Sequence, residues 1–502
     1  MSKKRWRSRA QWATLALFAA PCFCACAAPP GSQERGNAGQ PSQALARGGS
    51  SGATSDAAPL GGSSGQGLAA SGSAGAPSSE PAADSDGCLN GVKISSGSSV
   101  ETGGTAPDVS NAVTHATAPL PPLSGGTLLA LADGVTVAIS DPERDRLYLV
   151  DVGTGVLRSV AFNAGDEPGR LIEGAAGSVH VVLRRGGAIA SIDTELGAMV
   201  ARRAVCSAPR GLAYQKATDQ LHVVCAGGEV LSLPAGGGSA TRSLRLELDL
   251  RDVVVTNDGL LLVSTFRKAD VLVLAADGTL TSRLQPGSGM VPSLGGMAHR
   301  TPAVAWRMLS LDPARGSVLL LHQTGVTDVV DTGPGGYVPD GCGAIVQAGL
   351  SLLTPGEPSP AVASGLGKLP LAIDLALSPD RQKVAFAVAG NGVAQGATVV
   401  ELPLGAAMPG PSLPCVVAAE SAIRSPPPGQ VVAVSYAPSG VLFVQTREPA
   451  ALWRSDTGVA TSLASDSRSD TGHFVFHANT GGGIACASCH PEGGEDGRVW
   501  NF

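Results

Sequence analysis

Residues 486–490 have the residue types and the spacing that covalent haem attachment requires. They read Cys486-Ala487-Ser488-Cys489-His490, a CxxCH motif. Two cysteines three positions apart on a helical turn present their sulfurs on one face, where they can bond the two vinyl groups of one porphyrin. The adjacent histidine then meets the iron. The motif therefore predicts one covalent haem c on Cys486 and Cys489, with His490 as the proximal ligand of the iron.

Two other chemistries also use paired cysteines. A thioredoxin-like CxxC follows a strand in a βαβ unit, and the sequence around Cys486 lacks that pattern. A zinc site needs a second pair of ligands at metal spacing, and no such pair accompanies the motif. Haem attachment is therefore the favoured prediction. A propeller enzyme such as a lyase or dehydrogenase would need a convergent acid–base set, and no catalytic residue is predicted.

The sequence that surrounds the motif resembles a known family. Residues 472–494 read GHFVFHANTGGGIACASCHPEGG, which is similar to the haem-binding region of the bacterial di-haem cytochrome c peroxidase and MauG-like family. Members of that family are electron-transfer proteins or peroxidases with two haems, and some carry a propeller before the cytochrome part. The resemblance implies that Cys486 and Cys489 hold the haem and His490 binds its iron. It leaves open whether His473 or His477 lies near the haem or at the surface.

The chain also departs from that family. After His490 it contains no Met or His as a distal ligand and no second CxxCH before it stops at Phe502. A c-type domain needs about 80 residues to surround its haem. We therefore expect residues 461–502 to be a truncated, partial α-helical cytochrome c segment. Peroxidase activity would then require a further cytochrome portion, encoded downstream or supplied by a partner, and electron transfer would require a redox partner protein.

The first 27 residues have the pattern of a secretory signal peptide. A basic stretch precedes the apolar run from Trp12 to Ala20, and small residues follow it. The basic residues are Lys3, Lys4, Arg5, Arg7 and Arg9. The apolar run is shorter than the roughly 20 residues that span a bilayer. The sequence thus predicts export.

The cleavage region permits two mature forms. Ala25-Cys26 offers the small residue before a cysteine that a bacterial lipoprotein signal requires, which makes Cys26 a lipidation candidate. Ordinary cleavage after Ala27 is the alternative. We accordingly expect either a periplasmic protein or a lipoprotein that associates with the membrane through its lipid anchor.

Composition distinguishes a linker from the folded part of the chain. Residues 28–86 consist mainly of Gly, Ser, Ala and Pro, so they cannot bury enough apolar surface to fold and are predicted to be a disordered linker. Residues 87–124 form an irregular lead-in.

The formal net charge is −6, and no basic run occurs after the leader. This charge pattern argues against binding of nucleic acid.

Residues 125–460 repeat one pattern of short strands and tight turns. The clearest copy, residues 252–284, reads as four strands with turns at Asn257-Asp258-Gly259 and Asp277-Gly278. Related copies, about 40 residues apart at first, start near Val135, Arg170, Gly211, Met308, Ile373 and Val432. One hairpin pattern per period predicts an all-β, seven-bladed β-propeller, with six or eight blades as the neighbouring possibilities.

A β-sandwich, or a pair of β-domains, is the alternative fold. The repeated pattern resembles the YVTN-type and quinoprotein-like propellers of exported bacterial proteins. Propellers include enzymes, ligand-binding proteins and scaffolds, so a non-enzymatic propeller that binds a protein or cell-wall ligand, with a vestigial haem motif, is the alternative function.

The remaining cysteines are disulfide candidates because the predicted compartment is oxidising. Cys206 and Cys225 lie at the end of one blade and within a strand of the next, so a bridge between adjacent blades is predicted. Cys342 and Cys415 form a second candidate pair, and Cys88 is left without a partner. The isolated histidines His180, His222, His299 and His322 are interpreted as structural. Asn257, Asp312 and Asp380 are interpreted as turn formers.

Overall fold

The computed structural model describes residues 113–293, 296–333, 336–337, 344–361, 365–366, 369–391, 398–408 and 429–502. Several predicted features lie outside these ranges: the signal peptide (residues 1–27), the linker (residues 28–86), Cys26, Cys88, Cys342 and Cys415. Within the described ranges, every helix is too short or too polar to cross a bilayer.

The strands form seven antiparallel sheets, each built from consecutive strands, which are the blades. Blade 1 contains β1 (Leu128–Ala130), β2 (Thr136–Asp141), β3 (Arg146–Asp151) and β4 (Leu157–Ala161). Blade 2 contains β5 (Pro168–Glu173), β6 (Val179–Leu183), β7 (Ala188–Asp193) and β8 (Ala198–Ala204). Blade 3 contains β9 (Pro209–Gln215), β10 (Gln220–Cys225), β11 (Glu229–Pro234) and β12 (Arg242–Arg245).

The other four blades follow in chain order. Blade 4 contains β13 (Leu250–Val255), β14 (Leu261–Thr265), β15 (Val271–Leu274) and β16 (Leu280–Leu284). Blade 5 contains β17 (Gly289–Ser293), β18 (Gly296–Asp312), β19 (Ser317–Val326), β20 (Val346–Leu353) and β21 (Gly365–Leu366). Blade 6 contains β22 (Ala372–Leu377), β23 (Lys383–Val388) and β24 (Val399–Pro403). Blade 7 contains β25 (Val431–Tyr436), β26 (Leu442–Thr446), β27 (Ala451–Arg454) and β28 (Ala460–Ser462).

The predicted copies of the repeat fall in seven different sheets, so the prediction of seven blades is confirmed. The alternative of a sandwich is wrong, because the sheets are arranged in a ring. Their innermost strands β1, β5, β9, β13, β18, β22 and β25 are neighbours in that order, and β25 returns to β1. Side chains close the ring: Ala130 N donates to Ser435 Oγ at 3.0 Å, and Gln445 Nε2 donates to Ser140 O at 2.9 Å.

Apolar side chains fill the spaces between neighbouring blades. Successive side chains of a strand point to opposite faces of its sheet, so one strand serves two of these spaces. In β6, Val181 packs toward blade 1 while Val182 packs toward blade 3. Phe443 of blade 7 packs against Tyr148 of blade 1 and completes the circle. The core is therefore a set of inter-blade layers.

One predicted disulfide is present in the structure. Cys206, which follows β8, is bonded to Cys225 at the end of β10, with 6.5 Å between the two Cα atoms. The bridge links blade 2 to blade 3, as predicted. Asp312 and Asp380 also have the predicted role in turns, since their carboxylates accept backbone hydrogen bonds from Ala314 and Gln382.

The structure does not confirm a helical cytochrome segment. The described residues contain α1 (Leu404–Ala407), α2 (Thr471–His477) and α3 (Cys486–Cys489), and short 3-10 turns at Ala175–Gly177 and Pro491–Gly493. The two helices that follow the last blade have seven and four residues. Ala485, just before α3, and Ala487 within it pack into the propeller core, so the residues after blade 7 do not have a helical core of their own.

Candidate functional site

Residues 463–502, called here the C-terminal segment, cross the face of the propeller where the innermost strands begin. Asn479 N donates to Gly390 O of blade 6 at 2.8 Å. Arg267, after β14, donates from Nε to Glu495 O at 2.7 Å. Arg498 Nη2 donates to Thr301 O of β18 at 3.1 Å. These contacts attach the segment to blades 4, 5 and 6.

Helix α2 begins the segment and is capped by Asp470. The Asp470 carboxylate accepts a hydrogen bond from His473 N at 2.8 Å, which satisfies one of the free amides of the first turn. It also accepts one from Ala116 N at 3.0 Å. Thr471 N donates to Thr114 O at 3.0 Å. The N-terminal lead-in is thereby joined to the start of the C-terminal segment.

A glycine-rich turn connects α2 to the CxxCH motif. Asn479 Oδ1 accepts hydrogen bonds from Gly481 N at 3.0 Å and from Gly483 N at 2.9 Å. Gly481 and Gly483 have φ angles of 92° and 82°, a region that glycine occupies without steric cost. The turn closes where Thr480 N donates to Ile484 O at 2.9 Å. The asparagine and the glycines thus fix the direction in which α3 starts.

The two cysteines lie on one helical turn, as the motif predicted. Ala485 and Ala487 are buried against the propeller core, and Ala485 N donates to Ser488 Oγ at 3.1 Å. Cys486 is exposed and Cys489 is half-buried beside Val330, Ile345 and Val346. Burial raises the pKa of the Cys489 thiol to about 11. The alanines anchor the turn while its Cys486 side faces solvent.

The turn carries the residue types that a covalent haem c needs, although the half-buried Cys489 would have to turn outward to reach the porphyrin. Cys486 and Cys489 are both free thiols, and His490, which follows them directly, is exposed. His490 N donates to Cys486 O at 3.0 Å, which closes the turn. Two thiols and one imidazole on a turn whose opposite side is buried are the groups that haem attachment uses.

His473 and His477 are held against each other on α2. Their ring centroids are 4.1 Å apart, and His477 Nδ1 lies 2.8 Å from His473 O. Burial lowers the pKa of His473 to about 2 and that of His477 to about 4. Both rings are largely enclosed by the protein, so neither is a freely exposed surface histidine. Helix α2 packs against α3, but the structure does not assign either ring to a haem.

Three of the isolated histidines are structural, as interpreted from the sequence. Each of His180, His222 and His322 lies 2.9 Å from a serine hydroxyl of the neighbouring strand. Burial lowers the pKa of each to about 4, so all three are neutral. Among the described residues, the sole grouping of three candidate metal ligands is Cys206, Cys225 and Glu229, and its two cysteines form the disulfide.

Sequence reasoning missed the charged cluster at the mouth of the central channel. Glu492, two positions after His490, points into it. Arg251 Nη1 donates to Glu492 Oε1 at 2.5 Å, and Arg210 Nη1 donates to Oε2 at 2.7 Å. Arg184 Nη1 lies 3.9 Å from Oε1. Burial alone would raise the pKa of Glu492, but the attraction of Arg251, Arg210 and Arg184 outweighs it and lowers the pKa to about 2.

A second layer of buried charges lies beside this carboxylate. Asp252 is 3.3 Å from Arg170 and 3.1 Å from Arg307, and Arg307 is 3.3 Å from Asp374. Burial lowers the pKa of Arg170 to about 9 and raises that of Asp374. Arg170 and Arg251 both donate to Trp306 O. The channel is lined by ion pairs from five different blades together with the C-terminal segment.

A sequence signal for this cluster exists. Arg170, Arg210 and Arg251 lie near the start of the innermost strands β5, β9 and β13, and Arg307 lies within the innermost strand β18, all of them among apolar residues. Charged residues that recur at one position of a propeller repeat converge on the channel. The position of Glu492 has no such signal, because it follows from how the C-terminal segment folds back.

Comparisons with known proteins agree with the fold. No family model matches the chain, and no curated protein matches it. Hydrazine synthase of Kuenenia stuttgartiensis is similar in structure, with a TM-score of 0.53 and 15% identity over 70% of this chain and 99% of that chain. The WD40 domain of Neurospora crassa Pan2 has a TM-score of 0.45 and 12% identity over 68% of this chain and 91% of that chain. With its seven sheets, the protein is a seven-bladed β-propeller.

Proposed function

We propose that the protein is an exported β-propeller that carries one haem c on Cys486 and Cys489 and transfers electrons. The observation that carries the proposal is the CxxCH motif on a single helical turn, with Cys486 and His490 exposed and the opposite side packed on the propeller. Bound there, the haem would supply a centre for one-electron oxidation and reduction.

The chain itself holds and orients the group. Cys486 and Cys489 would hold the haem as thioethers, with the sulfur of each thiol on one carbon of a vinyl group and its hydrogen on the other. His490 would bind the iron through an imidazole nitrogen. Arg251 of the propeller binds Glu492, and Arg498 of the C-terminal segment binds Thr301 of the propeller, so the turn is held against the propeller face. A redox partner would then meet a centre held at that face.

The wider setting is part of the same proposal. The signal peptide places the chain where haem is attached, in the periplasm or, through Cys26, on a membrane as a lipoprotein. The electron partner is a redox protein or a further cytochrome portion of the peroxidase and MauG-like type. The acidic composition argues against a nucleic-acid partner.

A scaffold propeller without haem is the second candidate. Its supporting observation is that Cys489 lies half-buried among Val330, Ile345 and Val346, with its pKa raised to about 11. A thiol in that position must turn outward before it can form a thioether. In this case the propeller surface would bind a protein or cell-wall ligand.

A haem stain separates the two candidates. The full chain with its signal peptide is produced in a host with cytochrome c maturation machinery and run on a denaturing gel. The first candidate predicts a haem band that disappears in the variant C486A/C489A. The variant C206A/C225A is the matched control, because it also loses two cysteines but should keep the band. A folded wild-type protein without a haem band would favour the scaffold.

A further inference from the structure

The mouth of the channel holds more guanidinium groups than carboxylates. The guanidinium groups belong to Arg170, Arg184, Arg210, Arg251 and Arg307, and the carboxylates that pair with them belong to Glu167, Asp252, Asp374 and Glu492. The side chains of Arg170, Arg184 and Arg251 are 5%, 5% and 3% exposed. A positive charge therefore remains at the mouth even with Glu492 in place.

Arg184 has unused hydrogen-bond donors in this cluster. Its Nη2 atom donates to Pro122 O at 3.3 Å and to Glu167 Oε2 at 3.4 Å. Its buried Nε and Nη1 atoms have no hydrogen-bond partner within the described part of the chain. Buried donors without partners are costly, and a guanidinium satisfies them best with an oxyanion. Arg184 is thus positioned to donate to an anion at the mouth.

Glu492 comes to this cluster from a distant part of the chain, as a bound ligand would come from outside. It is 241 positions from Arg251 and 282 positions from Arg210 in the sequence. Its backbone has φ 54° and ψ 28°, the left-handed region that costs a non-glycine residue about 1 kcal/mol or more. The two short ion pairs hold it in this conformation.

We propose that Arg184, Arg210 and Arg251 form a binding site for a small carboxylate, and that Glu492 occupies this site as an internal ligand. Each carboxylate oxygen is met by a different arginine, Oε1 by Arg251 and Oε2 by Arg210, which matches the planar geometry of a carboxylate. A free carboxylate would compete with Glu492 and loosen the C-terminal segment. This proposal does not depend on haem attachment.

The test supplies the missing group from solution. The variant E492A removes the internal carboxylate and leaves space for acetate. Binding is measured by NMR in a titration with ¹³C-labelled acetate. The ionic strength is kept constant with chloride as the counter-anion. We expect E492A to bind acetate at least about tenfold more tightly than the wild type does, since hydrogen bonds to a charged group are regained. The double variant R251A/E492A should lose this gain.

A surface variant controls for the loss of negative charge alone. Glu357 forms an exposed pair with Arg315, so E357A should bind acetate no better than the wild type. The proposal is overturned if folded E492A binds acetate like the wild type, or if its gain persists without Arg251. If E492A does not fold alone, it is refolded in acetate and in chloride at equal ionic strength. A larger folded fraction in acetate supports the proposal, and equal fractions overturn it.

Discussion

Glu492 Oε1 lies 2.5 Å from Arg251 Nη1, an ion pair that joins the C-terminal segment to the innermost strand of blade 4. Both side chains are at least nine-tenths buried, with 8% and 3% exposed. Because Glu492 follows His490 by two residues, this contact fixes the CxxCH turn on the propeller. The turn is therefore part of the propeller surface.

The first prediction concerns the stability that this ion pair provides. Replacing Glu492 with Gln leaves the buried Arg251 and the partly exposed Arg210 without this negative partner, and an unpaired buried charge typically costs about 3–5 kcal/mol. We expect the free energy of unfolding in urea to fall by that amount, and residues 463–502 to become more sensitive to protease. E357Q, in the exposed pair with Arg315, is the control and should cost less than about 1 kcal/mol. Equal effects of the two substitutions would contradict the assignment.

The second prediction concerns pH. Glu492 has a folded-state pKa of about 2, below its ordinary value of 4.5. A lowered pKa means that the stabilisation is complete above about pH 4.5 and is lost as the pH falls toward 2. The difference in unfolding free energy between the wild type and E492Q should therefore be constant from pH 7 to 5 and shrink below pH 4.5. A difference that changes mainly between pH 5 and 7 would show that another group is responsible.

The third prediction concerns the two thiols before haem is attached. The pKa of Cys489 is raised from 9.0 to about 11, and its side chain is half-buried, whereas Cys486 is exposed. A rise of two units lowers the thiolate fraction at pH 8 by about 100-fold. In protein made without haem, iodoacetamide should modify Cys486 at least tenfold faster than Cys489, as followed by peptide mass spectrometry. The variant C486A gives the modification rate of Cys489 alone. Similar modification rates for the two thiols would contradict the burial of Cys489.

The fourth prediction concerns the Cys206–Cys225 bridge. It closes a loop of 19 residues between blades 2 and 3, and bridges of this size stabilise by about 2–4 kcal/mol. The variant C206S/C225S should unfold at correspondingly lower denaturant concentration than the oxidised wild type. Reduction of the wild type should reproduce the change, with no further effect on the variant. If neither the double substitution nor reduction changes the unfolding midpoint, the bridge does not form.

The blades could be predicted from the sequence because their determinants are local. The turn Asn257-Asp258-Gly259 and the apolar runs on either side of it specify one hairpin, and the same pattern returns in every blade. Gly259 has a φ of 87°, which the turn requires. The Cys206–Cys225 bridge could also be predicted, since the two cysteines lie at the end of one blade and within a strand of the next.

The site was only partly predictable for a related reason. The CxxCH motif specifies its own helical turn, so the placement of Cys486 and Cys489 followed from their spacing. The docking of residues 463–502 depends on contacts with strands far away in sequence, such as Arg498 with Thr301. The small helical domain that was expected is therefore not formed. Instead the segment packs on the propeller core, in which Ala485 and Ala487 are buried. The same long-range folding brings Glu492 to the arginines.

Haem attachment is tested most directly by the intact mass of the protein purified from a host that attaches haem c. We expect the wild type to have the mass of the mature chain plus one haem, and C486A/C489A to have the mass of the mature chain alone. A co-expressed cytochrome c shows that the host's machinery is active. A folded wild-type protein with the mass of the mature chain alone, beside a control cytochrome that carries its haem, would show that this protein does not bind haem covalently.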